Sequence, residues 1–481
     1  GIDDIASWNG STRTVNNRDE YDVTRWAAEQ YASAHNVDYI TAYNTVNNRR
    51  YIIQREVRVP TGGGTRFDHW EYDYQPLGNG SSSGVILATG TYGTGGSYSH
   101  TSVDTAILAN AATTIVGNTF NVRAGNRNRN GIVASVSGVS TSGNTFSVLG
   151  ANNNGMVITN GEVNSNSDGY TISGNKGNGV VLTGGKLTAS GNTFNINTSE
   201  VNGINNQGGT NVDVKGNSVF NIASGVTQAN GIYTNAGDLS VVNSTFTVNS
   251  GNSASDRNNA VFVDSSSANA KIEGSTFSID GNNTNAVLAK GGNVEVSKNS
   301  TIDIAGTRNN GVFIDGAADV KVKNSTINVN GSNNNGVYAK TITAALVDGG
   351  RINVGGSNNN GIMVIDSVTS GMKTSGSLRI DVDGANSNGI FLTHKGVIDE
   401  IDGATINVNH TNGIGILVGD HNTGTTNKAQ VKDIKNTTIN VGPTNAVTDK
   451  NGTGIYIRNG EVKFGENSTI NADGNDILIG I

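Results

Sequence analysis

From residue 105 onward, apolar and polar positions alternate in short runs, the pattern of strands that bury one face. The phrase Asn-Thr-Phe-Asn-Val at 118–122 returns as Asn-Thr-Phe-Ser-Val at 144–148 and as Ser-Thr-Ile-Asn-Val at 325–329. With the central apolar residue as anchor, the series runs Phe120, Phe146, Ile172, Phe194, Phe220, Phe246, Phe277, Ile302, Ile327, Ile352, Ile380, Ile406, Ile439 and Ile470. Subtraction gives steps of 26, 26, 22, 26, 26, 31, 25, 25, 25, 28, 26, 33 and 31, so the period is near 26 over fourteen copies. Two places beyond the anchor stands Val or Ile, except at Gly174 and Ala472, and the residue between is always polar. One place before the anchor stands Thr, except at Val219, Arg351 and Arg379. Anchor and second neighbour therefore point inward, and the residues flanking the anchor point out.

A second strand follows in each copy, opened by Asn-Gly or Asn-Ala, as in Asn130-Gly131-Ile132 and Asn335-Gly336-Val337. Asn holds that corner in every copy but one, where Thr453 replaces it, with Asn412 assigned to the copy before. A third short strand often closes the copy, as in Val294-Glu295-Val296. Three strands and three corners in about 26 residues describe one coil of an all-β, right-handed parallel β-helix of about fourteen coils. Each strand pairs with its counterpart one coil away, about 4.8 Å distant, giving a rod of roughly 65 Å. Gly supplies corner conformations with positive φ. Asn tolerates the left-handed region, and its amide can bond to the same amide one coil along, which satisfies polar groups at a bend.

Composition changes near residue 104. All three Trp and nine of the thirteen Tyr lie before it. Residues 1–104 are expected to form a small α+β capping and docking domain, and 105–481 the β-helix. In the first, Asn17–Asn36 reads as a helix with Val23, Trp26, Ala27, Tyr31 and Ala34 on one face. Tyr39–Thr45 and Tyr51–Val59 read as a hairpin joined through Asn47-Asn48. Solenoids need capped ends, and the aromatic domain suits that task. At the other end the chain closes on the apolar strand 477–481, whose open edge invites pairing. Expected docking residues are Trp8, Trp26 and Trp70 on one side and Ile477, Leu478, Ile479 and Ile481 on the other. Contact between unlike ends gives an open filament unless the rotation closes a ring.

Charge narrows the function. The chain has 66 Gly, 3 Pro and no Cys in 481 residues, a net charge of −7 and 15 % charged residues. Without Cys there is no disulfide framework and no thiolate metal site. An acidic chain with no basic run argues against nucleic-acid binding, and no stretch of about 18 apolar residues spans a membrane. A start at Gly1 without Met or signal peptide is expected of a matured or trimmed product.

The Ser/Asn-Thr-Ile/Phe-Asn-Val strands and Asn-Asn-Gly-Val corners, over about 105–481, resemble the right-handed parallel β-helix of bacterial surface proteins, namely autotransporter passenger domains and related secreted adhesins and filament proteins. The resemblance implies an extracellular or cell-surface location and a structural or adhesive role. The expected function is a β-solenoid rod that assembles head-to-tail into a filament or serves as an adhesin stalk, without catalysis or cofactor, and with a host or cell-surface glycan or protein as a possible ligand. The rival is a polysaccharide-degrading or phage-tailspike-type enzyme, since parallel β-helices also host pectate lyases, polygalacturonases and tailspike glycosidases.

A glycosidase needs two carboxyl groups about 5–5.5 or 6.5–9.5 Å apart. Asp381 and Asp383 share the outer face of one strand, about 6.5–7 Å apart at Cα, with Arg351 and Arg379 beside them in the Thr column. An Arg beside acids could bind a uronate, but stacked Arg and Asp on a solvated face make ion pairs worth little. The motifs of polygalacturonases do not occur as a set. The six His match no metal-ligand spacing, so no metal site is expected. Phe67–Tyr74 alternates acids with aromatics and reads as a docking strand; Asp399, Glu400 and Asp402 read as a solvated turn. Tyr170, Tyr233, Tyr338 and Tyr456 read as scattered, which favours the scaffold. The outer Thr and Asn columns could order water as in ice-binding proteins, although the insertions break the lattice.

Overall fold

The computed structural model describes residues 105–472 apart from 110–111, 124–128, 250–254, 421–427 and 443–451, together with parts of 13–99 and residues 479–480. The chain is all-β, a parallel β-helix of about 13 turns. It divides into two compact units, residues 1–212 and 213–481.

In the first unit, the anchor strands Thr119–Val122, Thr145–Val148, Gly169–Ile172 and Thr193–Ile196 pair in parallel, in register. Second strands such as Asn130–Ala134 and Asn154–Ile158 stack likewise, as do third strands such as Val139–Ser142 and Glu162–Asn166. Register is enforced by the core, because a one-residue slip would turn every apolar side chain outward. It also corrects the sequence reading. Phe146 is level with Tyr170, and Tyr170 with Phe194, so the anchor is Tyr170 and not Ile172. The two steps become 24 and 24, and Ile172 takes the second inward position, which removes the Gly174 exception. Tyr170 is fully buried. Its ring stacks on Phe146 and Phe194 at 4.6 and 4.8 Å, and its hydroxyl lies 3.2 Å from Ser165 Oγ.

Ser165 belongs to a buried polar cluster that ends at Asp168. Thr141 and Ser165 donate to Asp168 Oδ2 (2.5 and 2.6 Å), and the Asn144 amides donate to Oδ1 (2.7 and 3.1 Å). Asp168 stands in a corner column otherwise held by Asn118, Asn144 and Asn192, in which Asn144 and Asn192 accept the backbone N–H of the preceding coil. Burial raises its carboxyl above the ordinary range, and the hydrogen bonds from Ser165, Thr141 and Asn144 only partly offset this. A folded-state value above the unfolded one gives stability that is present below about pH 4 and is lost as pH rises through the folded value. Asp168→Asn restores the column residue. Its expected result is a local stability at the Asn144 amide, read by native-state hydrogen exchange, that no longer falls as the solution is taken from about pH 4 to 7. A slope equal to the wild type's would refute the assignment.

Before the coils, Arg50–Thr61 pairs antiparallel with Gly64–Pro76 in a hairpin, and Arg13–Val15 adds to the second of these strands. Strand Ser97–Ser99 pairs with the hairpin at Arg55 and with the first anchor strand at Phe120, which puts hairpin and anchor strands in one sheet. The expected partner of the 51–59 strand was 39–45. Tyr39, Ile40 and Ala42 are instead helical, with Ala42 N donating to Asp38 O at 3.0 Å, and the turn is Gly62-Gly63. Most of the expected 17–36 helix lies outside the described residues, although Glu29, Ala32 and Ser33 are helical.

In the second unit, anchor strands run from Val219–Ile222 to Thr469–Ala472, with Phe220, Phe246 and Phe277 stacked at 4.7 Å and Ile from 302 onward. The three consecutive Asn at 358–360 divide the labour of one corner. Asn358 takes the left-handed conformation (φ 56°). Asn359, wholly buried, accepts the Asn334 N–H and donates to the carbonyls of Gly331 and Gly355. Asn360 donates at 2.9 Å to Asn335 Oδ1 and accepts at 2.9 Å from Asn388. This last ladder runs without a break from Asn230 to Asn388. It stops there because Ile414 and Thr453 hold the next two rungs. Asn412 was misassigned to the ladder; it lies two residues before the rung, in the place of Asn386.

Candidate functional site

Each second strand of the second unit carries two inward side chains with one outward position between them. Those outward positions align in register: Tyr233, Phe262, Leu288, Phe313, Tyr338, Met363, Phe391, Leu417 and Tyr456. Every one is apolar or aromatic, whereas an outward strand position facing water ordinarily holds a polar side chain. Eight steps of about 4.8 Å make a column of about 38 Å, in which Leu288 and Leu417 are buried and the other seven side chains are partly open. The matching column in the first unit holds Val133, Val157, Val181 and Asn205. The Tyr that read as scattered thus include three members of one column. The signal was in the sequence, as an aromatic three places after the corner Asn (Asn230 to Tyr233, Asn310 to Phe313, Asn335 to Tyr338). It was missed because Tyr was counted by type and not by position in the repeat.

The rings are partly open. Tyr233 and Phe262 meet edge to face at 5.2 Å, and Phe313 and Tyr338 lie 4.7 Å apart. Lys290 Nζ sits 5.7 Å from the Phe262 centroid, and the Arg458 guanidinium lies within 6 Å of both Phe391 and Tyr456, as cation–π contacts require. Beside the strip runs the left-handed corner column, Asn283, Arg308, Asn333, Asn358 and Asn386, with φ between 50° and 59°. Strip and corner enclose a shallow groove of about 390 Å³ at Phe313, Tyr338 and Met363, and another of about 300 Å³ at Phe391, Leu417 and Tyr456. Of the charged groups that line the grooves, Lys340 lies 3.9 Å from Asp315, Arg308 borders the larger groove and Arg458 the smaller. Tyr233 donates to Asp264 Oδ2 at 2.7 Å. Burial, then the bond to Asp264 and its charge, push that phenol up to about 12. Burial and the charges of Asp315 and Asp366 raise Tyr338 too. Both hydroxyls remain protonated at neutral pH. An apolar floor edged by amides and hydroxyls can take a ligand that has a flat apolar face and a polar rim.

The residues singled out for catalysis behave differently. Asp381 is outward on its strand yet only 2 % exposed, because Arg351 Nη2 and Arg379 Nε close over it at 2.7 and 3.0 Å and Asn407 donates at 2.7 Å. The solvated ion pair expected from the alternation is therefore a covered one. Burial would raise the carboxyl, but the hydrogen bonds from Asn407, Arg379 and Arg351 and the Arg379 charge outweigh it and hold Asp381 below its ordinary value. A general acid must keep its proton; Asp381 does the reverse. Asp381→Asn should cost on the order of 1–3 kcal/mol at neutral pH, the worth of charged hydrogen bonds. A lowered folded value means that this stability is present above the unfolded range and lost as pH falls through the folded value. Denaturant melts of the two proteins should therefore converge below about pH 4. Parallel curves at all pH would refute it.

Asp383 accepts from Asn409 at 2.8 Å. Asp399 and Glu400 lie 3.4 and 3.2 Å from Lys432 and Lys435. Glu400 and Asp402 are on a short strand and not in a turn, with Ile401 buried between them, and Asp399 is the bend that separates it from Val397–Ile398. Of the expected docking residues, Trp70 is on the Gly64–Pro76 strand level with Glu56 and Val15, and Ile479 pairs with Ile455. Trp8, Trp26, Ile477, Leu478 and Ile481 lie outside the described residues. Among the described residues no helix is long and apolar enough to cross a membrane.

No family model matches the chain, and no curated protein matches it. Among solved structures it is similar to a mutant tailspike protein of E. coli bacteriophage HK620 in complex with a hexasaccharide. The two are 13 % identical, with 80 % of this chain and 73 % of that chain covered at a TM-score of 0.40. The likeness is one of fold.

Proposed function

We propose that the chain is an extracellular β-solenoid of the adhesive kind, which holds an extended neutral polysaccharide along the outward aromatic strip of residues 233–456. The observation that carries this reading is the unbroken register of nine apolar or aromatic side chains at positions where the fold requires none. A pyranose ring presents axial C–H groups on its faces and hydroxyls around its edge. The strip presents ring faces, with the Asn corner and the Tyr hydroxyls alongside. The apolar floor suits the neutral face of a sugar, and Arg308 and Arg458 at the groove rims can donate to its hydroxyls. A rung spacing of about 4.8 Å is close to the length of one sugar along an extended chain, so successive sugars meet successive rungs. Such a column adds only a little to folding through cross-strand pairs, whereas partly exposed apolar patches of this kind mark binding surfaces.

The test is affinity electrophoresis of the full chain through gels containing hydroxyethyl cellulose, xyloglucan, galactomannan or dextran. Retardation by at least one of these polymers, relieved when the strip is altered, is the expected result. Free migration through all four would refute the reading for neutral glycans.

A further inference from the structure

The anchor sheet of the second unit presents a different surface, a column of Thr at Thr301, Thr326, Thr405 and Thr438 into which Arg351 and Arg379 are set on adjacent rungs. Two guanidinium groups about one rung apart, about 4.8 Å, repel each other, and the protein holds them together with one carboxylate beneath. Asp381 takes Arg351 Nη2 at 2.7 Å and Arg379 Nε at 3.0 and 3.1 Å. Arg351 Nε donates to Asn353 Oδ1 at 2.7 Å. These bonds use one edge of each guanidinium. The Nη1 of Arg351 and both Nη groups of Arg379 have no acceptor among the described residues, and the side chains are 47 % and 52 % exposed. Two positive charges over one negative leave a local charge of +1, on a chain whose net charge is −7. Further acids on the same sheet are Asp383, two residues along and bonded to Asn409, and Asp303, three rungs below Asp381 and bonded to Asn328, while Asp348 precedes Arg351 by three residues.

We propose that Arg351 and Arg379 form a second binding site, for the carboxylate of an acidic sugar polymer. Planar forks of N–H donors match planar oxyanions in two-point contact, and the buried Asp381 fixes both forks before a ligand arrives, which removes the cost of ordering two long side chains at the moment of binding. The Thr326 and Thr405 hydroxyls and the Asn353 and Asn407 amides beside them suit the hydroxyls of the sugar that carries the carboxylate. This site lies on another sheet from the aromatic strip and does not depend on it.

The probe is oligogalacturonate, titrated calorimetrically into the full chain at low salt, with its methyl-esterified form as the neutral control. Arg351→Gln with Arg379→Gln is expected to weaken binding about tenfold to a hundredfold, as the loss of charge-assisted hydrogen bonds implies. Those changes leave Asp381 without its cover and can unsettle the sheet. Arg351→Lys with Arg379→Lys keeps the charges but not the forks, and should also lose most of the affinity while melting close to the wild type. Phe313→Ala with Tyr338→Ala should bind the uronate normally. Undiminished binding by either Arg variant, equal binding of the esterified control, or an effect of the strip variant as large as that of the Arg variants would overturn the proposal. Competition by inorganic sulfate at the same concentration as the sugar acid would overturn the assignment to a polymer carboxylate.

Discussion

Phe313→Ala together with Tyr338→Ala should reduce affinity for the retarding polysaccharide about a hundredfold while leaving the fold intact. The two rings lie 4.7 Å apart at the middle of the strip, over the larger groove. Each is already half-covered by its neighbours, so a ligand buries only the remaining face. That area is worth about 1.5 kcal/mol per ring, at the lower end for a large apolar side chain. Two rings make about 3 kcal/mol, or roughly two decades in affinity, as central aromatic contacts in other interfaces do. The cost to folding is smaller, because outward cross-strand pairs contribute about 0.2–1 kcal/mol. Dissociation constants from affinity gels and a melting curve separate the two effects. Unchanged affinity in the double variant would remove the strip from the binding surface. Val133→Ala with Val157→Ala, in the aliphatic column of the first unit, should have no effect on binding.

The largest effect on stability is expected at Tyr170→Ala, about 3–5 kcal/mol, the range for emptying an aromatic site in a core. Its ring is sandwiched nearly parallel between Phe146 and Phe194, with interplanar angles of 6° and 3°. Truncation opens a hole with two aromatic walls that a solenoid cannot close, because each wall is pinned in its own rung by parallel pairing on both strand edges. Tyr170→Phe keeps the stack and removes only the hydroxyl beside Ser165. Its cost should be about 1 kcal/mol, since Ser165 retains Asp168 and Asn192 as partners. Equilibrium unfolding in denaturant distinguishes these outcomes. A loss below about 1 kcal/mol for Tyr170→Ala would mean that the stack does not bear on stability.

Much of this architecture is legible in the chain, because a solenoid repeats its solution and repetition averages out local ambiguity. The 26-residue period, the inward pair on each anchor strand and the corner Asn all follow from counting. The failures share a cause: a residue was judged by its type where its rung decided. Ile172 was taken as the anchor of its copy, although the register gives that place to Tyr170, which stacking and one hydroxyl partner make a core residue. Asn412 was taken for the ladder because it precedes Gly413, whereas the register gives that rung to Ile414. Asp381 was read as solvated because strand alternation turns it outward. Alternation says nothing of the Arg on the neighbouring rung that covers it, since the two positions are 30 residues apart in sequence. The aromatic strip was lost in the same way, its members being 25 to 39 residues apart and of four residue types. For Tyr39, Ile40 and Ala42 there was no repeat to average over, and the segment was read as a strand where these residues are helical.

The strip is periodic, and a polymer is periodic too. A chain laid on it has several positions of nearly equal energy, one rung apart, and the number of rungs engaged at once grows with the length of the chain. Pulling such a chain along the solenoid breaks contact at one ring and makes it at the next. Tension therefore displaces the ligand in steps and does not release it, and detachment requires all engaged rungs to let go together. Grip should lengthen steeply with polymer size even though each contact is weak, and a shear force directed along the strip should be resisted longer than the same force directed away from it.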